Sequence, residues 1–284
     1  MILLTGVTGK TGGEAARQLV AAGVPFRALV RNPAKAAALR LPGAEVVVGD
    51  MADGAVLDRA LDGIERALLV MPNGEEQLVL EQRFTDHAAR SGVAHLVKLS
   101  SLESVPTSTN PITRMHVASE RHIRESGMAW TMIRPTFFTQ ALLVSAAAIR
   151  DHGRISMPAG RGTIAPTDLR DVGAVILKAL TEPGHVNESY DLTGPELLTF
   201  AEIAARFSAL LGRTIQYVDQ PLPEFRARLQ SINLAPWRID AVCKELESIA
   251  AGIIDHTTDT IARLLGRPPI SIDQFIRDHR AVFG

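Results

Sequence analysis

Met1-Ile-Leu-Leu-Thr5-Gly6-Val7-Thr8-Gly9-Lys10-Thr11-Gly12 runs from a short apolar strand into a turn with glycines three residues apart, and the alanine-rich Gly13-Glu14-Ala15-Ala16 follows at once. The pattern predicts strand, tight turn and helix. Gly6 would turn the chain sharply off the strand. Gly9 leaves no side chain between the backbone and a phosphate, and Gly12 lets the helix lie close against the sheet. Free N–H groups at the helix start would then point at a pyrophosphate. The spacing is Gly-x-x-Gly-x-x-Gly, not the Gly-x-Gly-x-x-Gly of the ordinary dinucleotide fingerprint. A glycine triplet among 22 glycines says little alone, and the plain alternative is a turn that holds no ligand. Its weight comes from its place between a strand at 2–5 and a helix over about 11–22. Gly23 stops that helix and Pro25 precedes the next strand.

Outward from this turn, short β-rich runs alternate with helical patterns. Strands are expected at 2–5, 26–30, 45–48, 67–71, 95–100 and 130–134, with helices between them at about 11–22, 34–39, 54–61, 75–91 and 113–126. This rhythm predicts an α/β fold with a doubly wound, parallel Rossmann-type sheet and ligands at the carboxyl ends of its strands. After Phe137 the rhythm changes. A helix through 142–149 leads into a loop-rich stretch at 153–166, then a helix over 169–181 and a strand at 190–193. Thr199-Phe-Ala-Glu202 reads as a capping box opening a helix that ends near Gly212, and Ser271-Ile-Asp-Gln274 repeats the device. The expected organisation is a nucleotide-binding domain over 1–150, joined by strand and helix contributions from 163–193. A smaller, mostly helical lobe over 195–284 would close over the cofactor.

Composition narrows the function. Hydrophobic content of 46% and charged content of 21% suit a soluble globular enzyme. A formal charge of −1 provides no footprint for nucleic acid or an anionic membrane. A single cysteine, Cys243, cannot form an internal disulfide, which suits a reducing cytosol. No apolar run approaches the roughly 20 residues of a membrane span, and with a strand at 2–5 no signal peptide is expected. The expectation is a cytoplasmic protein.

The ends of the later strands carry the cofactor chemistry. An NAD-selective protein usually places an acidic residue at the end of the second strand for the ribose hydroxyls. Here Leu29-Val30-Arg31-Asn32-Pro33-Ala34-Lys35 puts a guanidinium there instead. Arg31 is suited to hold a 2′-phosphate, with Lys35 adding a second positive charge one helical turn on. NADP(H) is therefore expected in preference to NAD(H). In Gly49-Asp50-Met51-Ala52-Asp53, Asp50 would accept from the adenine amino group and Met51 would lie against the ring, while Asp53 caps the next helix. Met71 and Pro72, after the fourth strand, would pass beneath the nicotinamide ribose. Ser100 and Ser101, after the fifth, lie where the nicotinamide and a substrate would be met.

Thr5-Gly6-Val7-Thr8-Gly9-Lys10-Thr11-Gly12, Arg31, Gly49-Asp50-Met51-Ala52-Asp53, Lys98-Leu99-Ser100-Ser101 and Ser126-Gly127 with Ile133-Arg134-Pro135-Thr136-Phe137-Phe138 together resemble the NmrA-like, atypical short-chain dehydrogenase/reductase family. The resemblance continues through Tyr190-Asp191-Leu192-Thr193-Gly194 and covers nearly the whole chain. It implies that Gly6, Thr8, Gly9, Thr11 and Gly12 wrap the pyrophosphate, with Arg31 at the 2′-phosphate and Asp50 and Met51 at adenine; Lys10, within the same turn, is a further cofactor-binding candidate. Members of the family include NADPH-dependent quinone and triphenylmethane-dye reductases, and others bind the dinucleotide as redox sensors. The wider superfamily uses Tyr-x-x-x-Lys, which this chain lacks. Its two tyrosines, Tyr190 and Tyr217, are followed four residues on by Gly194 and Pro221. By position, Ile112 stands in the phenol's place and His116 in the lysine's. An isoleucine transfers no proton. His116, with an ordinary pKa of about 6.5, is the candidate for binding the nicotinamide ribose or assisting proton transfer.

Other chemistries find no support. The eight histidines include no His-Glu-x-x-His pair and no Cys/His cluster, so no metal is expected. There is no Gly-x-Ser-x-Gly elbow. Gly9-Lys10-Thr11 ends like a P-loop, but the glycine required five residues earlier is Leu4. Phe137, Phe138 and Trp237 are candidates for lining an apolar acceptor cleft, although such aromatics are more often core. A quinone or conjugated dye needs mainly proximity to the nicotinamide, because its reduced product does not demand a positioned acid. The first expectation is thus an NADPH-dependent reductase of a quinone-like or conjugated small molecule. The alternative is a non-catalytic NADP(H)-binding redox sensor that docks on a protein partner.

Overall fold

The computed structural model describes residues 1–39 and 41–284. Its first half follows the expected alternation: β1 (Ile2–Leu4), α1 (Lys10–Ala21), β2 (Phe26–Val30), α2 (Pro33–Ala38), β3 (Ala44–Val48), α3 (Gly54–Leu61), β4 (Arg66–Leu69), α4 (Gln77–Arg90), β5 (His95–Leu99), α5 (Pro111–Glu125) and β6 (Ala129–Pro135). A 3₁₀ turn over Thr139–Ser145 leads to α6 (Ala146–His152), β7 (Arg154–Met157), β8 (Thr163–Ile164), α7 (Leu169–Thr181), β9 (Glu188–Leu192), β10 (Leu198–Thr199), α8 (Phe200–Leu211) and β11 (Gln216–Asp219). The chain closes with α9 (Leu222–Ser231), α10 (Pro236–Ala250), α11 (Thr260–Leu265), α12 (Ile272–Asp278) and α13 (Arg280–Phe283).

Seven strands form one sheet in the order β3-β2-β1-β4-β5-β6-β9. The pairs β2–β3, β1–β2, β1–β4, β4–β5 and β5–β6 are all parallel. Parallel strands covered on both faces read as apolar runs, and Leu3, Leu4, Ala28, Ala67, Leu68, Leu69, Leu96 and Val97 are fully buried. The core beneath α3, α4 and α5 gathers Leu57, Leu61, Phe84, Ala88 and Ile123 against these strands. The strand order reverses between β1 and β4, so the turns leaving these two strands flank the crevice where such sheets take ligands.

The chain divides into two compact units. The first comprises Met1–Pro106, Ile112–Arg134 and Val172–Tyr190; the second comprises Thr107–Pro111, Pro135–Asp171 and Asp191–Gly284. The boundary expected near residue 150 therefore falls earlier, at the end of β6. The 135–171 stretch packs with the C-terminal part, while most of α7 and the start of β9 return to the first unit. The reason lies in short ladders within the loop-rich stretch. Within 153–166, β7 pairs in parallel with β11, from Arg154↔Gln216 to Met157↔Asp219, and β8 pairs antiparallel with β10. The helix expected over 142–149 is a 3₁₀ turn followed by α6.

The two capping motifs also diverge. At α8 the box is complete: Glu202 N–H donates to Thr199 Oγ1 at 3.2 Å and Thr199 N–H to Glu202 Oε2 at 2.8 Å. At α12 Ser271 accepts from Gln274 N–H at 3.2 Å, but the Gln274 amide donates instead to Asp278 Oδ1 at 2.6 Å. No helix among the described residues is long and apolar enough to cross a membrane.

Candidate cofactor-binding and active site

The three glycines of the first turn have different reasons to be there. Gly6 has φ +68°, and a Cβ on it would lie 2.6 Å from the Val70 carbonyl oxygen. The neighbouring Thr5 hydroxyl fastens the same place, donating toward Val70 O at 3.0 Å and accepting from Val70 N–H at 2.8 Å. A Cβ on Gly12 would lie 2.4 Å from Gly6 O, so this glycine sets how closely α1 meets the turn. Gly9 is unlike both. It is the N-cap of α1 at φ −94°, ψ 178°, a conformation open to any residue. A Cβ there would meet only Gly6 O, at 3.3 Å, tight by a few tenths of an ångström. The fold's own packing hardly requires this glycine. Its bare, exposed face fits a diphosphate lying on the helix start.

The rest of that helix start agrees. α1 has no side-chain cap and no acidic residue in its first turn, so its N–H groups and the positive end of its dipole face outward uncompensated. Thr8 and Lys10 are exposed, whereas Thr11 and Gly12 are buried and have backbone N–H groups to offer.

The adenosine end is assembled by one backbone hydrogen bond. Gly49 N–H donates to Val30 O at 3.1 Å, which brings the residues after β2 and β3 side by side. Arg31 and Asp50 stand next to this pair, both exposed. Arg31 makes no ion pair or hydrogen bond among the described residues. Asn32 caps α2 by accepting from Lys35 N–H at 3.1 Å, and Lys35 itself is exposed in the last turn of α2. Asp50 Oδ1 accepts from Ala52 N–H at 2.9 Å, Asp53 caps α3, and Arg83 of α4 donates to Ala52 O. Met51 is 8% exposed and packs in the core with Leu3, Leu29 and Leu57. Met71 likewise leans on this core, while Pro72 is exposed.

The far end of the site rests on two buried polar networks that sequence reading missed. In the first, Lys98 of β5 is fully buried, with Nζ at 3.2 and 3.1 Å from the two oxygens of Glu81 on α4. The same ammonium donates to Leu99 O at 2.9 Å and lies 3.0 Å from His116 Nδ1. Burial, and after it the Lys98 charge, hold the His116 pKa well below the usual imidazole value. His116 is therefore neutral, and since an ammonium only donates, Nδ1 accepts. In the second network, Ser100 donates to Glu120 Oε1 at 2.6 Å and lies 3.1 Å from the Ser104 hydroxyl. Arg134 pairs with both oxygens of Glu120, one contact being 2.8 Å, and Arg124 adds a third donor at 2.9 Å. Burial pushes the Glu120 carboxyl up, but donation from Arg134 and Ser100 outweighs it and leaves the pKa below the ordinary value.

Ser100 thus spends its proton inside the protein and has only lone-pair capacity left for a ligand. The Ser101 hydroxyl accepts from Glu103 N–H at 3.2 Å, a local turn. Phe137, Phe138 and Trp237 lie in the second unit. Phe137 packs edge-on against Phe200 at 5.8 Å, Phe138 bridges to Thr167 through its backbone, and Trp237 is half-buried in the first turn of α10. Both phenols are engaged within the protein: Tyr190 lies 2.8 Å from His185 Nδ1, and Tyr217 donates to Met157 O at 2.9 Å. No group of three or more His, Cys, Asp or Glu among the described residues is arranged to hold a metal.

A family model described as the NmrA-like family matches residues 1–265. The NAD(P)H azoreductase of Xenophilus azovorans is 37% identical over 289 residues, covering 100% of this chain and 99% of that protein. A (4-alkanoyl-5-oxo-2,5-dihydrofuran-3-yl)methyl phosphate reductase of Streptomyces griseus is 36% identical, with 100% and 99% covered. Among solved structures, an NADPH-dependent quinone oxidoreductase of Escherichia coli complexed with NADPH superposes with a TM-score of 0.89 at 28% identity, covering 98% of this chain and 99% of that one.

Proposed function

The chain belongs to the NmrA-like family, and from that premise and the site's geometry we propose that it is an NADPH-dependent reductase of quinone-like or otherwise conjugated small molecules. The observation that carries this reading is the pairing of a bare helix start at Gly9 with a guanidinium at Arg31 that has no partner among the described residues, where an NAD-selective site would place a carboxylate. NADPH, when bound, supplies the hydride. The chain's own residues bind and orient it. Backbone N–H groups from Lys10 to Gly12 receive the diphosphate, Arg31 and Lys35 hold the 2′-phosphate, and Asp50 accepts from the adenine amino group. The relatives with azo and quinone substrates in their names support the acceptor class.

The missing phenol supports it as well. Reduction of a simple ketone leaves an alkoxide that needs a positioned acid, worth about 10²–10⁴-fold in rate. A quinone accepts a hydride to give a delocalised anion, and water can protonate it afterwards. The chain's task is then to hold donor and acceptor together. The test is NADPH consumption, followed by its absorbance, against a panel of small quinones and azo dyes. Turnover with NADPH is expected. Tight NADPH binding without turnover on any acceptor would overturn the reductase in favour of a non-catalytic redox sensor acting on a protein partner.

A further inference from the structure

Each of the three N–H directions of the buried Lys98 already has a partner inside the protein: Glu81, Leu99 O and His116 Nδ1. Lys98 is fully buried and Glu81 only 1% exposed, so neither is open to a ligand. The consequence falls on His116. Its Nδ1 is committed as an acceptor, so the single proton of the neutral ring resides on Nε2. Nε2 makes no hydrogen bond among the described residues.

We propose that Lys98, held in place by Glu81, locks His116 in the Nε2–H tautomer, so that this imidazole serves as a neutral hydrogen-bond donor to an oxygen lone pair of the bound ligands. His116 is then neither a general base nor a cationic acid. It is a fixed donor for a hydroxyl oxygen of the nicotinamide ribose or for the oxygen of the acceptor as negative charge develops on it. Lys98 and Glu81 are positioning residues, acting from beneath through the ring. Low dielectric around the trio strengthens the lock, because exchanging the tautomer would set an N–H against an ammonium. The inference rests on the reductase reading for the identity of the ligands, but the tautomer does not.

The test separates the two. Full-length protein labelled with ¹⁵N-histidine is examined without cofactor by long-range ¹H–¹⁵N correlation. At neutral pH His116 should show an unprotonated Nδ1 and a protonated Nε2. Lys98→Met should release the ring into a mixture of tautomers. The double variant Lys98→Met/Glu81→Gln repeats the measurement without leaving a buried carboxylate unpaired, in case the single variant fails to fold. An Nδ1–H tautomer or an imidazolium in the wild type overturns the proposal, as does an unchanged tautomer in the double variant. Affinity and kinetics of His116→Ala then identify the oxygen. A loss of about 10-fold, the worth of one hydrogen bond, in NADPH affinity assigns it to the ribose. The same loss in kcat/KM for a quinone, with NADPH affinity intact, assigns it to the acceptor. Both unchanged overturns the donor role. Absence of turnover on every acceptor would defeat the reductase reading while leaving the tautomer measurement to stand or fall alone.

Discussion

Replacing Arg31 by alanine tests cofactor choice with little interference from folding. The side chain is exposed and makes no ion pair or hydrogen bond among the described residues, so its removal breaks nothing in the protein. Surface changes of this kind stay within about 0.5 kcal/mol of wild-type stability. Its contribution to binding is that of a charge-assisted contact to a phosphate, about 1.5–3 kcal/mol, or about 10- to 150-fold in Kd. Lys35, also exposed on α2, keeps a second positive charge nearby, so the lower half of that range is expected. NADH lacks the 2′-phosphate and should lose almost nothing. Quenching of protein fluorescence, titrated with each nucleotide at fixed ionic strength, gives both constants. Equal losses for NADPH and NADH would refute the assignment of Arg31.

The glycines separate function from fold. Gly9→Val should abolish NADPH binding with little change in Tm, whereas Gly12→Ala, whose Cβ would lie 2.4 Å from Gly6 O, should cost about 3 kcal/mol or more in urea denaturation. Lys98→Met leaves the Glu81 carboxylate buried without its cation and should cost about 3–5 kcal/mol; adding Glu81→Gln should recover part of that loss. His95 titrates at about 4, held down by burial and then by the Arg66 charge. A histidine whose folded pKa lies below its unfolded value stabilises fully above about 6.5 and loses that contribution as pH falls toward about 4. Urea unfolding at pH 5 should therefore show about 2 kcal/mol less stability from this group than at pH 7, and a His95→Asn variant should lack that part of the slope.

The sheet was legible because parallel, doubly covered strands leave unbroken apolar runs, and because Gly23, Pro25 and Gly127 punctuate them where periodicity changes. The cofactor end of the site was legible for a related reason. Gly6, Gly9, Gly12 and Arg31 are residue types whose presence at the end of a strand has one dominant physical use. Short ladders defeated the reading. β7 and β11 span four residues each, and β11 is largely exposed, so neither carries an apolar signature, and without them the division of the chain falls in the wrong place. Met51 is a flexible apolar side chain in a polar loop, and its membership of the core follows from packing that no local pattern announces.

Lys98 and Glu81 left a trace that was not used. A lysine stands in the middle of His95-Leu96-Val97-Lys98-Leu99, and Gln77 and Glu81 share the helical stripe of Phe84 and Ala88. Buried charges in such places require a partner, and each names the other.

Titration calorimetry of the purified chain with NADPH and NADH addresses the central claim most directly. Heat is predicted with both coenzymes, since both carry the diphosphate, with tighter binding of NADPH at low salt. No heat from either coenzyme, oxidised or reduced, would contradict the account at its root.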